Sequence, residues 1–149
     1  MRAGFFAVLA WSLGFGQSVA HARDFKNCSE YQQRDIEFAE ADAKVFIENA
    51  LPLLRTYLGD PAKKKSTNYS KIRKIEKRMS CMKKKLDTGK FSYTCYEPSN
   101  SKCEELAAHA RYIPLGFWRW NSSRIWYCPY AIGDVGILIH EMSHTCGAD

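Results

Sequence analysis

The sequence predicts an α+β fold, because two long helical segments are followed by short strands and then by one more helix. Apolar residues recur at spacings of three and four over 31–58 and 69–86, which is the period of an amphipathic helix. Over 91–96 the period changes to two, as expected for a half-buried strand. Two further short strands are predicted at 110–113 and at 124–128, and each is ended by the proline that follows it. The first is expected near a sheet edge, where a proline is tolerated.

The first predicted helix, 31–58, presents an apolar stripe that we expect to face the core. Pro52 interrupts this segment and predicts a kink or two consecutive helices. The stripe consists of Ile36, Ala39, Ala43, Phe46, Ala50, Leu54 and Tyr57.

The second predicted helix, 69–86, separates an apolar stripe from a basic face. The stripe is Ile72, Ile75, Met79, Met82 and Leu86, and the basic face carries Lys71, Arg73, Lys74, Lys77, Arg78, Lys83, Lys84 and Lys85. A solvated helix face is the favoured interpretation of these cations, and an electrostatic patch for an anionic partner is the alternative. The formal net charge of +6 is compatible with either and does not require nucleic acid.

Residues 1–22 have the features of a signal peptide. Arg2 supplies the positive charge, 5–19 is apolar, and the last three residues form an Ala-x-Ala cleavage site. A membrane anchor is the weaker interpretation, because the apolar run is shorter than the roughly 18 to 20 residues of a membrane span. We therefore expect cleavage after Ala22, a single mature domain over 23–149 and a secreted or periplasmic protein.

All six cysteines lie in this mature domain: Cys28, Cys81, Cys95, Cys103, Cys128 and Cys146. An even number of cysteines in a small exported domain indicates up to three disulfides. Free buried cysteines or metal thiolates are the alternative, but no Cys-x-x-Cys spacing occurs, which argues against a thiolate zinc site. The residues themselves leave all of the roughly 15 possible pairings open.

Aromatic residues are concentrated around the last predicted strand. They either line a substrate cleft or cap the core, and both uses are common for large aromatic side chains. The cluster consists of Phe117, Trp118, Trp120 and Trp126.

The segment 140–144 reads His-Glu-Met-Ser-His. On a helix, His140 and His144 lie one turn apart on one face, so both imidazoles can reach a single Zn²⁺ with Glu141 beside the metal-bound water. A zinc hydrolase needs this arrangement, because a carboxylate takes the proton from the activated water. The alternative is an ordinary helix on which two surface histidines and a glutamate share no role.

The residues before the motif favour a buried helix. Asp134, after Gly133, offers an N-cap. An apolar stripe follows, formed by Val135, Leu138, Ile139 and Met142. The polar groups of the motif then occupy the adjacent face together with Ile137, so a helix anchored in the core presents them.

From residue 91 onward the chain strongly resembles the aspzincin metalloendopeptidases, which are the deuterolysins and, more closely, the lysine-specific peptidyl-Lys metalloendopeptidases. The resemblance rests on two helices, a small sheet with cysteine-bearing strands, then Ile-Trp-Tyr-Cys-Pro at 125–129 and Leu-Ile-His-Glu-Met-Ser-His at 138–144. It implies a zincin-like fold, in which N-terminal helices pack with a small twisted sheet and a C-terminal active-site helix carries the His-Glu-x-x-His motif. It also implies a secreted, zinc-dependent protease whose edge strand beside the cleft is 110–114.

Carried over by position, the resemblance makes His140 and His144 zinc ligands and Glu141 the general base. The family's third ligand is an Asp in a Gly-Thr-x-Asp segment, and its Gly-Thr pair matches Gly147-Ala148, which puts the ligand one position past Asp149. The metzincin spacing His-Glu-x-x-His-x-x-Gly-x-x-ligand gives the same position. Asp149, through its side chain or a terminal carboxylate, is the candidate within the sequence, and we expect a domain truncated at this end. The family's oxyanion-stabilising tyrosine and its lysine-recognising acidic residues have no counterpart.

The resemblance also suggests a disulfide pattern. It pairs Cys28 with Cys95 and Cys103 with Cys128, and Cys81 and Cys146 remain to tie the basic helix to the end of the zinc helix.

The sequence therefore favours a secreted zinc metalloendopeptidase that hydrolyses peptide bonds through a zinc-bound water, with a lysine preference that the resemblance suggests. The alternative is a catalytically impaired, disulfide-stapled binding protein derived from such a peptidase, because the third-ligand region is incomplete. A binder of anionic surfaces through the basic helix ranks last. We expect a monomer with Zn²⁺ as cofactor and proteins or peptides as substrates, with no nucleic-acid partner and no membrane span after signal cleavage.

Overall fold

The computed structural model describes residues 23–110 and 123–147. These residues form an α+β fold with four α-helices and one mixed sheet. No helix in this part of the chain is long and apolar enough to cross a membrane. Several predictions fall outside the described residues: the signal peptide at 1–22, strand positions 111–113, the aromatic residues Phe117, Trp118 and Trp120, and the candidate ligand Asp149.

The predicted long helices and the first and last predicted strands are all present, and two short elements are additional. The helices are α1 (Glu30–Gly59), α2 (Tyr69–Asp87), α3 (Lys102–Glu105) and α4 (Val135–Thr145), with 3₁₀ turns at Pro61–Lys65 and Pro129–Ala131. The strands are β1 (Asp24–Lys26), β2 (Ser92–Cys95), β3 (Ala108–Ala110) and β4 (Arg124–Tyr127). The helix α3 and the strand β1 are the additional elements.

The four strands lie in the order β1-β2-β4-β3, with β1 and β4 parallel to β2 and β3 antiparallel to β4 at the edge. The strand β1, which pairs with β2, is not predicted from the sequence. Phe25 lies opposite Tyr93, and the two rings stack with centroids 5.5 Å apart. A strand of three residues is too short to show a period of two, so only the pairing reveals it.

The core joins the inner faces of α1, α2 and α4 to the buried side chains of the sheet. The stripe predicted on α1 is correct for its first half, but Phe46 is 52% exposed while Ile47 and Leu51 are buried. The reason is that α2 lies along the flank of α1 that carries Lys44, Glu48 and Arg55. The buried face of α1 therefore lies closer to that flank in the second half of the helix.

The helix α1 is continuous through Pro52, so the predicted division into two helices is wrong. Pro52 is exposed, and the preceding residue Leu51 packs in the core. Tertiary packing on both sides of the proline therefore holds one helix together despite the backbone hydrogen bond that proline cannot make. The helix begins at a capping box in which Ser29 and Gln32 each accept a hydrogen bond from the other's backbone amide.

The three disulfides are Cys28–Cys95, Cys81–Cys146 and Cys103–Cys128. They confirm the pairing that the resemblance suggests, and no described cysteine is free. The first joins the segment before α1 to β2, the second joins α2 to the residue after α4, and the third joins α3 to the residue after β4. Disulfides of this kind are usual in oxidising compartments, so the pattern is compatible with an extracellular protein.

A buried carboxylate, Glu40, links α1 to the sheet. The hydroxyl of Tyr93 donates to its Oε1 atom at 2.5 Å, and Arg23 forms an ion pair with its Oε2 atom. Burial raises the pKa of Glu40, while Tyr93 and the Arg23 charge act in the opposite direction. A buried charge is tolerated when it is paired and hydrogen-bonded, as this one is.

Three ion pairs connect α1 to α2 in antiparallel order: Lys44–Asp87 at 2.8 Å, Glu48–Lys83 at 3.1 Å and Arg55–Glu76 at 3.0 Å. Hydrogen bonds from Lys44 and Lys83 lower the pKa of Asp87. Hydrogen bonds from Arg55 and Ser80 lower the pKa of Glu76. A carboxyl group whose pKa is lower in the folded than in the unfolded protein stabilises the fold at pH values above the unfolded-state pKa. This contribution is lost as the pH falls through the folded-state pKa.

We therefore predict that the free energy of unfolding decreases as the pH falls below about 5, where Glu76 and Asp87 begin to take up protons. The decrease should be small, because these ion pairs are largely open to solvent. Urea unfolding of the wild type and of the double variant Glu76→Gln/Asp87→Asn measures this. The variant should show a shallower pH dependence in that window. Identical pH dependence in the two proteins would show that these pairs do not couple α1 to α2.

Candidate metal centre

The helix α4 begins where the sequence predicts. Asp134 is the N-cap, and its Oδ1 atom accepts a hydrogen bond from the backbone amide of Ile137 at 2.9 Å. Leu138 and Met142 are fully buried in the core. This anchoring fixes the rotation of α4 about its axis and thus the direction of the polar side chains between the apolar ones.

His140 and His144 lie together on α4, as the motif predicts. Their Nε2 atoms are 3.1 Å apart, and their rings meet edge to face with centroids 4.7 Å apart. His140 is exposed and His144 is partly buried, whereas Glu141 is buried. One candidate ligand atom from each of the three residues lies within 4.8 Å of the others, so this group could hold a metal ion.

The positions of the two nitrogens fit a tetrahedral zinc ion. Zinc binds imidazole nitrogen at about 2.05 Å, so two nitrogens on one tetrahedral ion lie about 3.3 Å apart. The separation of 3.1 Å between the Nε2 atoms of His140 and His144 is close to this value. It also suits an N–H···N hydrogen bond between the rings. Neutral imidazole nitrogens are good ligands for zinc.

Glu141 is held between the core and the histidines. Its residue is only 6% exposed, and the backbone amide of Ala110 donates a hydrogen bond to its carboxylate. Burial raises the pKa of Glu141, while the charge on His144, the Ala110 amide and the charge on His140 oppose that shift. Its Oε2 atom is buried and has no hydrogen-bond partner among the described residues. A buried carboxylate oxygen in this condition is expected to meet a water molecule or a cation.

The amide of Ala110 is a functional contact that sequence reasoning missed, because backbone groups leave no signature in residue types. Ala110 belongs to β3, one of the two edge strands of the described sheet. The strand predicted at 110–113 begins earlier than expected, at Ala108. Ala110 lies against the carboxylate of Glu141.

A groove runs beside Ala110 on the other face of the sheet. His109 stacks on Trp126 with centroids 4.9 Å apart, and Tyr96 stacks on His109 at 5.8 Å. These rings line the groove together with Lys102 and Ala110. Trp126, predicted either to line a cleft or to cap the core, is therefore a partly buried wall of this groove.

No family model, curated protein or solved structure matches the chain. The site is therefore defined by its own geometry: a helix anchored in the core with two imidazoles and one buried carboxylate within reach of a single ion. Of the predicted site residues, the structure brings together His140, Glu141 and His144.

We predict that His140→Ala and His144→Ala each weaken zinc binding by more than about 100-fold, because even residues that only orient a ligand contribute about 10- to 100-fold. Competition with a chromophoric chelator measures the affinity. His109→Phe is the matched control, since it removes an imidazole outside the group and preserves an aromatic ring. Equal zinc affinity in all four proteins would mean that α4 does not hold the ion.

Proposed function

We propose that the protein is a secreted or periplasmic zinc metalloendopeptidase of the aspzincin type, with a zincin-like fold and α4 as its active-site helix. One observation carries this proposal. Two imidazole Nε2 atoms lie 3.1 Å apart, with the buried carboxylate of Glu141 on the same turn of the helix. Structural histidines need no buried acid at this position, whereas metal-assisted hydrolysis requires a base beside the ion.

In this proposal His140 and His144 are the two histidine ligands, and Asp149 is the candidate third ligand. When bound, zinc acts as a Lewis acid that polarises the scissile carbonyl and makes a water molecule more acidic. Glu141 takes the proton from the attacking water and delivers it to the leaving amine. Burial favours this role because it raises the proton affinity of the Glu141 carboxylate. The Ala110 amide holds one side of that carboxylate and keeps it aimed.

Proteins or peptides as the substrate class are supported by the position of β3. This strand is one of the two edges of the described sheet, and its residue Ala110 contacts Glu141. An extended peptide can align with a sheet edge through backbone hydrogen bonds, whatever its side chains. A chain bound in this way beside β3 would pass close to the base and the ligands. The lysine preference rests on the family resemblance alone.

The second candidate function is a catalytically impaired, stapled binding protein. It is favoured by the composition of the metal group, which within the described residues contains two histidines and Glu141. Catalytic zinc sites normally use three protein ligands besides water. If Glu141 serves as a ligand, no base remains on α4. If it serves as the base, the described residues supply two histidine ligands, and a further ligand such as Asp149 is needed. Tight, stoichiometric zinc together with proteolysis would exclude this candidate.

We predict that Glu141→Gln lowers the rate of peptide hydrolysis by at least about 10²-fold, because general base catalysis contributes about 10²- to 10⁴-fold. Zinc content should stay unchanged, since glutamine removes the base and spares the histidines. Mass spectrometry of the products from a lysine-containing peptide library measures both rate and cleavage position.

Glu104→Gln, at an exposed position on α3, is the control and should behave as wild type. Glu141→Asp should retain partial activity, because it keeps a carboxylate that is one methylene shorter. Full activity in Glu141→Gln would exclude Glu141 as the base. Zinc-loaded wild type that cleaves no peptide in the library would favour the binding protein instead.

A further inference from the structure

Three residues on one side of α2 hold the end of α4. The guanidinium of Arg78 donates to the carbonyl oxygen of Gly147 at 3.1 Å. Cys81 is bonded to Cys146. The ammonium group of Lys85 donates to the carbonyl oxygen of Thr145 at 2.9 Å. The three positions on α2 are spaced by three and four, so they share one face of that helix.

These contacts follow one another in antiparallel order along residues 145–147. Carbonyl groups in the last turn of a helix lack intrahelical partners, and cations near that end interact favourably with the helix dipole. Lys85 donates to the last carbonyl of α4, at Thr145, and both Lys85 and Arg78 place a cation near that end. We call this set of contacts the α2 clamp.

The contact made by Lys85 is partly buried. Burial, and then the charge of Lys90, lower the pKa of Lys85 to about 8. The ammonium group also lies over the ring of Phe91, 5.8 Å from its centroid. A buried cation needs compensating contacts, and the carbonyl of Thr145 provides one.

The clamp acts at the C-terminal end of α4. His144 lies in the last turn of α4, one residue before its end at Thr145, and helix ends fray. Gly147 then turns the chain with a φ of +82°, in the left-handed region that glycine adopts without strain. Burial of Leu138, Met142 and Thr145 anchors one face of α4 in the core. The contacts with α2 add a second restraint on the backbone that directly follows His144.

We propose that Arg78, Cys81 and Lys85 are positioning residues for the metal centre: they keep His144 beside His140. The proposal rests on the proposed function of α4 as a zinc site. The contacts that define the clamp are with residues 145–147, so each of the three residues acts on His144 through that segment. The disulfide Cys81–Cys146 makes this positioning dependent on an oxidising environment.

A purely stabilising disulfide is the competing explanation, and the chain contains a matched control for it. Cys28–Cys95 spans 67 residues and Cys81–Cys146 spans 65. Loop closure in the unfolded chain depends on this length, so both disulfides should restrict the unfolded chain to the same degree. Only Cys81–Cys146 is attached to the end of α4.

The experiment compares zinc affinity in Cys81→Ala/Cys146→Ala with that in Cys28→Ala/Cys95→Ala, by chelator competition at a temperature where circular dichroism shows both folded. The visible spectrum of each protein loaded with Co²⁺ reports the ligand geometry. We expect the first variant to bind zinc about 10- to 100-fold more weakly, the range typical of residues that orient ligands, with an altered cobalt spectrum. The second variant should match wild type.

Arg78→Gln/Lys85→Met tests the same idea with every disulfide intact, and this pair decides the matter if the cysteine variants do not fold. It should weaken zinc binding, and Arg78→Lys/Lys85→Arg should restore most of the affinity. Zinc affinity and cobalt spectra that equal those of wild type in Arg78→Gln/Lys85→Met would overturn the clamp and leave the proposed function standing. A wild type that binds no zinc would overturn the proposed function, and the clamp with it.

Discussion

The burial of one face of α4 against the sheet is the constraint on which the candidate site depends. Leu138 and Met142 are completely buried, and they fix which way the helix faces. Because the helical period places His140 and His144 beside that buried face and not opposite it, the imidazoles lie at the edge of the core. Glu141 lies deeper, against the end of β3. The same packing thus produces an accessible pair of imidazoles and a carboxylate shielded from bulk water.

The two buried carboxylates, Glu40 and Glu141, have different contacts. Glu40 has both oxygens engaged, one by Tyr93 and the other by Arg23. Glu141 has the Ala110 amide and one oxygen without a described partner. The Oε2 atom of Glu40 is held by an ion pair with Arg23, whereas the Oε2 atom of Glu141 retains capacity for a proton or a cation. This contrast is the reason for assigning chemistry to Glu141 and a structural role to Glu40.

The sequence predicts most of what is local and little of what depends on pairing. Helical periods predict the helices α2 and α4, and capping predicts the N-cap Asp134, because apolar spacing and capping are local properties. Of the stripe predicted on α2, Met82 is buried and Ile75 is exposed. The strand β1 is not predicted, because it is stabilised by pairing with β2 and has no pattern of its own. The burial of Phe46 is mispredicted because the partner helix, not the periodicity, decides which flank of α1 is covered.

In the candidate site, too, the local part is predicted from the sequence and the tertiary contacts are not. The spacing of His140, Glu141 and His144 is enough to predict that they share one region, since a helix turn brings them together. The Ala110 amide and the contacts of Arg78 and Lys85 are invisible in the sequence, because they join a side chain to the backbone of a distant segment. The sequence predicts only a basic face for the cations of α2, whereas two of them, Arg78 and Lys85, bind the end of α4.

The central claim is that α4 holds a zinc ion through His140 and His144, and X-ray absorption at the zinc edge tests it most directly. The oxidised, purified protein should contain about one zinc per chain, with two imidazole ligands at about 2.0 to 2.1 Å. A protein that carries no zinc after incubation with the ion, or whose zinc spectrum lacks imidazole scattering, would contradict the account.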